Sequence, residues 1–211
     1  MFVKRNSVTI TTKERIFETA LDLFAEKGYE ATSIRDITKA VGLSVAAFYN
    51  HFASKNELLQ AIYNFYRSLD TTETEAKPDL EQMVEQMSPF DIFDKMAQQI
   101  IETLHDEKLV KLTRIIINEQ YTNATAGEIA SKDRQALLSS MVELFSVMAS
   151  RGKISVKEPE ALGRLVGYMY LGFAEENIHA SILGTQDPTT VINNQLRLIH
   201  SFLQGFIVEA I

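Results

Sequence analysis

Two matched helix-start signals within residues 32–58 constrain the fold of this chain more than any other feature. Ser33 precedes Asp36 by three residues, and Ser54 precedes Glu57 by the same distance. In such capping boxes the serine oxygen accepts a hydrogen bond from a first-turn amide, while the acid reaches back to the cap. The spacing therefore predicts two helix starts about twenty residues apart.

A third start signal lies between these boxes. Gly42 can take the left-handed conformation that ends a helix without a Cβ clash, and Ser44 follows as the next cap. The segment 40–44 is therefore predicted to be the turn of a helix-turn-helix, a motif that points to DNA. Apolar residues at spacings of three and four are predicted to face inward. They are Ile34, Ile37, Val41, Leu43, Phe48 and Phe52.

The second helix of such a motif enters the major groove with its N-terminal residues at base edges. The Asn50 amide suits adenine, and Val45 offers apolar surface to a thymine methyl group. The two alanines beside Val45 either touch bases or are small only to let the backbone approach. Few of these side chains can form hydrogen bonds with base edges, so the shape of the DNA is expected to contribute to sequence specificity. The predicted base-edge residues are Ser44, Val45, Ala46, Ala47, Tyr49 and Asn50.

Phosphate contacts are predicted at two helix starts. Thr32 and Ser33 begin one helix, and Ser54 and Lys55 begin another. Free amides, hydroxyls and the helix dipole favour an anion at both places, and Lys55 adds a cation.

This stretch resembles the DNA-binding signature of the TetR (tetracycline repressor) family. With the preceding helix, the resemblance covers about residues 11–63. Its pieces are Thr32-Ser33-Ile34-Arg35-Asp36-Ile37, Val41-Gly42-Leu43-Ser44, Phe48-Tyr49-Asn50-His51-Phe52 and Ser54-Lys55-Asn56-Glu57-Leu58. One departure is Ala46, where many members carry glycine.

The resemblance implies roles for individual residues of the motif. Tyr49, His51 and Lys55 would contact phosphates, and Arg35 would contact the groove or the DNA backbone. His51 could instead be a packed histidine. The resemblance also implies a dimer with an α-helical second domain that binds an effector.

Charge is distributed unevenly along the chain, whose net charge is −7. Residues 1–55 carry eight Lys and Arg against six Asp and Glu, whereas the rest carries thirteen against twenty-two. The mildly basic N-terminal quarter therefore suits DNA, and the acidic remainder need not meet it.

Several function classes are disfavoured by composition. No apolar run approaches the about 18 residues of a membrane span, and the N-terminus does not read as a signal peptide, so a cytoplasmic protein is expected. The absence of cysteine excludes disulfides and thiolate catalysis. No phosphate loop, GxSxG motif or zinc-ligand spacing occurs, so neither an enzyme nor a metal or other cofactor is expected.

The remaining pattern is helical, which predicts an all-α protein. A three-helix head is assigned to residues 1–55, and a C-terminal effector-binding and dimerisation domain to residues 56–211. A linker helix is predicted over 54–69, with a break over 71–78. Further helix starts are predicted at Ser88, Asp106, Glu158 and Asp187.

The last two helices, about 159–183 and 188–209, are the most apolar and are predicted to form the homodimer interface. The first of them has a face of mostly small residues that allows close helix approach: Gly163, Gly167, Tyr170, Ala174, Asn177 and Ser181.

A second face of the same helix predicts an effector pocket. An acid and an imidazole, Glu175 and His179, lie four residues apart beneath Tyr168, and they need partners if buried. The pocket residues could equally be ordinary core residues, with Glu175 and His179 either satisfied by each other or exposed. The apolar lining is predicted to come from Phe93, Met96, Ile100, Ile116, Met141, Phe145 and Met148.

These observations favour a dimeric DNA-binding regulator, a repressor, released from a palindromic operator by a small apolar or amphipathic effector. A second hypothesis keeps the DNA-binding head but lets the C-terminal domain bind a protein partner. An enclosed cavity would favour the first, and an exposed apolar patch outside the dimer face would favour the second.

Overall fold

The computed structural model describes residues 10–69, 80–183 and 187–208, and for residues 179 and 181–183 it describes the backbone only. Within these ranges the chain is almost entirely helical, and a single antiparallel bridge joins Ile154 to Ile207. The all-α prediction is therefore confirmed. The helices are α1 Thr12–Lys27, α2 Ile34–Val41, α3 Val45–Tyr49, α4 Lys55–Ser68, α5 Leu80–Gln86, α6 Pro89–His105, α7 Glu107–Glu119, α8 Ala124–Ser150, α9 Pro159–Leu183 and α10 Pro188–Leu203.

Several of the predicted helix starts are capped by side chains. Ser33 and Asp36 complete a reciprocal box at α2, as Ser88 and Asp91 do at α6. At α4 the box differs from the prediction, because the Glu57 carboxylate accepts from the Ala53 amide, at 2.5 Å, and not from the cap residue. The Ser54 hydroxyl still accepts from the Glu57 amide at 3.0 Å.

The turn between α2 and α3 depends on Gly42. This residue has φ 77°, in the left-handed region that favours glycine. The next amide, that of Leu43, donates to the Thr38 carbonyl at 2.8 Å and closes the end of α2. The chain is thereby redirected so that α3 begins at once, capped by Ser44.

The described chain divides into two compact units. The first comprises the described residues of Met1–Asp70 with Lys111–Gly127, and the second comprises those of Thr71–Val110 with Glu128–Ile211. In the first unit α1 packs against α2 and α4, so the linker helix shares the core of the head. The functional boundary predicted after residue 55 stays a prediction. Buried side chains of this core include Ile16, Phe24, Ile37, Phe48, Leu59 and Tyr63.

The second unit packs α10 against α6 and α9. Its α9 also approaches α8 very closely, because Gly163 and Gly167 carry no side chain there. A Cβ on Gly163 would lie 2.6 Å from the Met141 carbonyl oxygen, and one on Gly167 would lie 2.8 Å from Leu138 Cδ2. These two glycines therefore serve packing within the chain.

Two sequence predictions about chain ends and breaks have different outcomes. The break predicted over 71–78 lies outside the described residues. The last helix ends at Leu203, before the predicted residue 209, and the chain then forms the bridge at Ile207.

In the described part of the chain no helix has the length and apolarity needed to cross a membrane.

Candidate DNA-binding surface and ligand cavity

Helix α3 presents a small exposed surface anchored by one aromatic side chain. Phe48 is fully buried and packs against Phe52, with ring centroids 6.0 Å apart. The neighbouring positions on the other faces, Val45, Ala46 and Tyr49, are exposed. Burial of Phe48 thus fixes the rotation of the helix and turns the remaining side chains toward solvent.

The predicted base-edge residues lie together on this surface. Ser44, Val45, Ala46, Tyr49 and Asn50 are exposed, and Ala47 is half-buried. The Ser44 hydroxyl accepts from the Ala47 amide at 3.1 Å, so it caps the helix as well as facing outward. Asn50 is the C-terminal cap residue, and its side chain remains exposed.

Helix α2 adds two exposed cations and one capped anion. Arg35 and Lys39 are both exposed. The Ser33 hydroxyl and amide donate to the Asp36 carboxylate, and these hydrogen bonds hold the pKa of Asp36 below its usual value. Ser33 is itself exposed at the helix start, where its predicted phosphate contact would be made.

Thr32 differs from its neighbour because its side chain faces inward. It is 1% exposed, and its hydroxyl lies 2.8 Å from the Gly28 carbonyl oxygen and 3.3 Å from that of Leu23. A phosphate contact through this hydroxyl would require it to leave both acceptors. The hydroxyl instead stabilises the loop between α1 and α2.

Lys55 joins the start of α4 to that same loop. Its Nζ donates to the carbonyl oxygens of Tyr29 and Thr32, at 2.8 and 2.9 Å, and lies 4.0 Å from the centroid of the Tyr29 ring. An ammonium has three donors, so one remains for a phosphate. Lys55 therefore has a structural role that the sequence motif alone did not reveal.

Two further residues complete the head. His51 is half-buried, which is compatible with either predicted role. Arg15 was missed by the sequence reasoning; its guanidinium donates to the Val41 carbonyl at 2.7 Å and holds the end of α2 against α1. No local signal identifies Arg15, because its partner lies 26 residues away in sequence.

The second unit contains a cavity of about 230 Å³. Helix α9 lines it with Tyr170, Phe173, Ala174 and Asn177. The facing helices are α6, α8 and α10, which contribute Ala97, Ile100, Leu137, Ile192, Gln195, Leu196 and Ile199. Most of these side chains are apolar, so the cavity suits an apolar ligand.

The cavity differs from the predicted effector pocket in the face of α9 that it uses. Tyr168 and Glu175 are exposed and do not line it, and the side chain of His179 lies outside the described residues. Ile100 does line it. Phe93, Met141, Phe145 and Met148 are buried in the core of the second unit, with Met96 packed against them, whereas Ile116 is buried in the first unit.

The reason for this difference is the distribution of small residues. Ala174 and Asn177, on the face assigned to close helix approach, instead leave space beside α6 and α10. Gly163 and Gly167, nearer the N-terminus of α9 on that face, meet α8 at close range. Sequence periodicity identified the face but could not tell which part of it is filled.

No cluster of three or more His, Asp or Glu residues that could hold a metal ion occurs among the described residues. Burial raises the pKa of Tyr170, so its hydroxyl is neutral beside the cavity.

The head of this chain matches a known protein family. Residues 16–62 match the model of the family "Bacterial regulatory proteins, tetR family". YerO of Bacillus subtilis strain 168, an uncharacterised HTH-type transcriptional regulator, is 33% identical over 139 residues, which are 62% of this chain and 47% of YerO. IcaR of Staphylococcus aureus strain Newman, the negative transcriptional regulator of the biofilm operon icaADBC, is 42% identical over 48 residues, covering 23% of this chain and 26% of IcaR. The matches thus span about half, or less, of these two relatives.

A solved structure extends the similarity of fold to nearly the whole chain. The SmeT–triclosan complex superposes with a TM-score of 0.60 at 22% identity, over 94% of this chain and 93% of that one. At that identity the match shows the fold alone. The signature at residues 16–62, on which the helix-turn-helix is built, therefore identifies the head of this chain as a DNA-binding domain of the TetR family of bacterial regulatory proteins.

Proposed function

We propose that this protein is a DNA-binding transcriptional regulator, a repressor, whose dimer leaves a palindromic operator when a small apolar or amphipathic effector binds. The observation that carries the proposal is the exposed face of α3, with Val45, Ala46, Tyr49 and Asn50 on a helix-turn-helix that matches the family model. The negative regulation named for IcaR supports repression as the direction of the effect.

The proposed DNA contacts follow from exposure. The residues proposed to meet base edges are Ser44, Val45, Ala46, Ala47 and Asn50. Those proposed to meet phosphates or the groove are Ser33, Arg35, Tyr49 and His51. Lys55 adds its remaining donor to a phosphate. The Thr32 hydroxyl is left out, because two carbonyl oxygens already hold it.

The proposed dimer uses exposed apolar side chains of the last two helices. Leu165 and Tyr168 on α9 are 50% and 54% exposed, and Leu198 on α10 is 59% exposed. Large apolar side chains grouped on helices of this kind are typical of a surface that another subunit covers. Two copies would then present two recognition helices to half-sites about 34 Å apart.

The proposed effector site is the cavity between α6, α8, α9 and α10. Its mostly apolar lining and its volume of about 230 Å³ support a small apolar ligand. The triclosan named for the similar SmeT structure also supports a small-molecule effector. Such a ligand releases DNA only if it binds the conformation of the dimer whose two heads cannot reach both half-sites more tightly than it binds the DNA-binding conformation.

The test starts from duplexes that the purified protein selects from a random pool. We expect Ala46→Glu to weaken binding to the selected duplex by about tenfold or more, because a carboxylate would face the phosphates. Ala136→Glu is the matched control, since Ala136 is exposed on α8 in the second unit. Equal binding by the two variants would contradict the DNA-binding assignment of α3.

A further inference from the structure

One polar atom in the wall of the cavity lacks a hydrogen-bond partner. Asn177 is 2% exposed and lines the cavity, and its Oδ1 has no partner among the described residues. Buried carbonyl oxygens are nearly always paired in folded proteins, because an unpaired one loses its water without replacement. An orphan acceptor in the wall of a cavity is therefore a position where a ligand donor would be stabilised.

The other polar groups in the wall are already committed or neutral. Gln195 Nε2 donates to Glu176 Oε2 at 2.8 Å, which draws that amide toward the exposed carboxylate. The Tyr170 hydroxyl is neutral near pH 7, and burial raises its pKa further. The remaining lining side chains are apolar, including Ile100, Phe173 and Ile199. A charged ligand would lose hydration here without gaining an opposite charge from these groups.

We infer that the cavity selects compact, uncharged, mostly apolar molecules with one hydrogen-bond donor, which Asn177 Oδ1 accepts. The inference rests on the proposed effector site and adds the chemical class of its ligand and the residue that sets the selectivity. Asn177 is thus a specificity-determining residue, distinct from the apolar wall that supplies most of the binding energy.

Cavity size limits the ligand further. An engineered apolar cavity of about 150 Å³ holds benzene, so the volume of about 230 Å³ suits a molecule the size of a bicyclic aromatic. 2-Naphthol is such a molecule and carries one hydroxyl donor. 2-Methylnaphthalene has nearly the same shape with a methyl group in place of the hydroxyl, and 2-methoxynaphthalene can accept but cannot donate.

The experiment measures the dissociation constants of these three probes for the full chain. The chain contains no tryptophan, so naphthalene fluorescence can be followed with little protein background. The quantity of interest is the ratio of the constants for 2-naphthol and 2-methylnaphthalene, which cancels their general difference in hydrophobicity when variants are compared.

We expect Asn177→Leu to shift this ratio by about tenfold against 2-naphthol, the size of one hydrogen bond. The ratio for 2-methoxynaphthalene and 2-methylnaphthalene should stay constant, since neither donates. Glu175→Gln is the matched control, because Glu175 lies on the exposed face of the same helix and should leave every ratio unchanged. If Asn177→Leu does not fold, Asn177→Ala supplies the same comparison.

Two results would overturn the inference: a ratio that is the same in the wild type and the Asn177 variants, or no binding of any probe. Binding of each variant to the selected duplex, measured without probe, keeps this outcome separate from the proposed function. DNA binding that persists with unchanged ratios refutes only the selectivity of Asn177. If the Asn177 variants shift the ratios but the protein binds no duplex, the proposed DNA-binding function is refuted and the ligand selectivity of Asn177 is supported.

Discussion

The ammonium of Lys55 offers the sharpest test of how the head is held together. It contacts two carbonyl oxygens of the α1–α2 loop, at 2.8 and 2.9 Å, and the face of the Tyr29 ring at 4.0 Å. Lys55→Met keeps most of the aliphatic chain and removes only the charge and its donors. The variant therefore isolates the contribution of these three contacts.

The magnitude follows from the number of contacts and their exposure. A hydrogen bond involving a charged group contributes about 1.5–3 kcal/mol, and an exposed cation–π contact about 0.5–1 kcal/mol. Lys55 is half-buried, so the freed carbonyl groups regain water and the loss is smaller than the sum. We expect Lys55→Met to lower the free energy of opening of the head by about 2 kcal/mol.

Hydrogen exchange measured by mass spectrometry resolves this loss within the head. A loss of about 2 kcal/mol corresponds to roughly 30-fold faster exchange of the protected amides in α2 and at the start of α4. Lys39→Met is the control, because it removes a cation from an exposed position on α2 and should change exchange by less than about threefold. Equal exchange in the two variants would refute the reasoning that Lys55 holds the loop.

Three further predictions concern packing, pH and assembly. Gly163→Ala should lower the free energy of unfolding measured in urea by about 1–3 kcal/mol, because its Cβ would lie 2.6 Å from the Met141 oxygen. Gly172→Ala, whose Cβ would have nothing within 4 Å, should raise that free energy by up to about 1 kcal/mol. Hydrogen bonds from Ser33 lower the pKa of Asp36, so the stabilisation that they provide is present above the usual pKa of 3.8 and is lost as the pH falls through the lowered pKa. The loss of unfolding free energy caused by Ser33→Ala, measured in urea, should therefore become smaller in acid. A loss that stays the same at all pH values would contradict this reasoning. Leu198→Glu should convert the proposed dimer to a monomer in sedimentation experiments, with Glu143→Gln on exposed α8 surface as the control.

The local structure of the head could be predicted from sequence because its determinants are short-range. The caps at Ser33 and Ser44 and the left-handed Gly42 each act within a few residues, and the structure forms all three. The start of α10 at Asp187 has the same local origin, since its carboxylate accepts from the Thr190 amide at 3.0 Å. Capping and turn chemistry depend on neighbours along the chain, so a sequence contains them in full.

The side-chain contacts that the sequence did not predict involve residues distant in sequence. Thr32 faces inward because the carbonyl oxygens of Leu23 and Gly28 come within reach, and Lys55 is held by a loop 23 to 26 residues earlier. No periodicity reports such contacts.

In the second unit, too, contacts between elements distant in sequence could not be predicted from local patterns. Residue spacing predicts its helices and their apolar faces, including the apolar character of α9 and the face of mostly small residues on that helix. Only tertiary packing decided that Gly163 and Gly167 meet α8 while Ala174 and Asn177 border a cavity. Spacing along a helix defines which residues share a face, but whether that face is filled, left open or covered depends on the volumes of side chains from other helices.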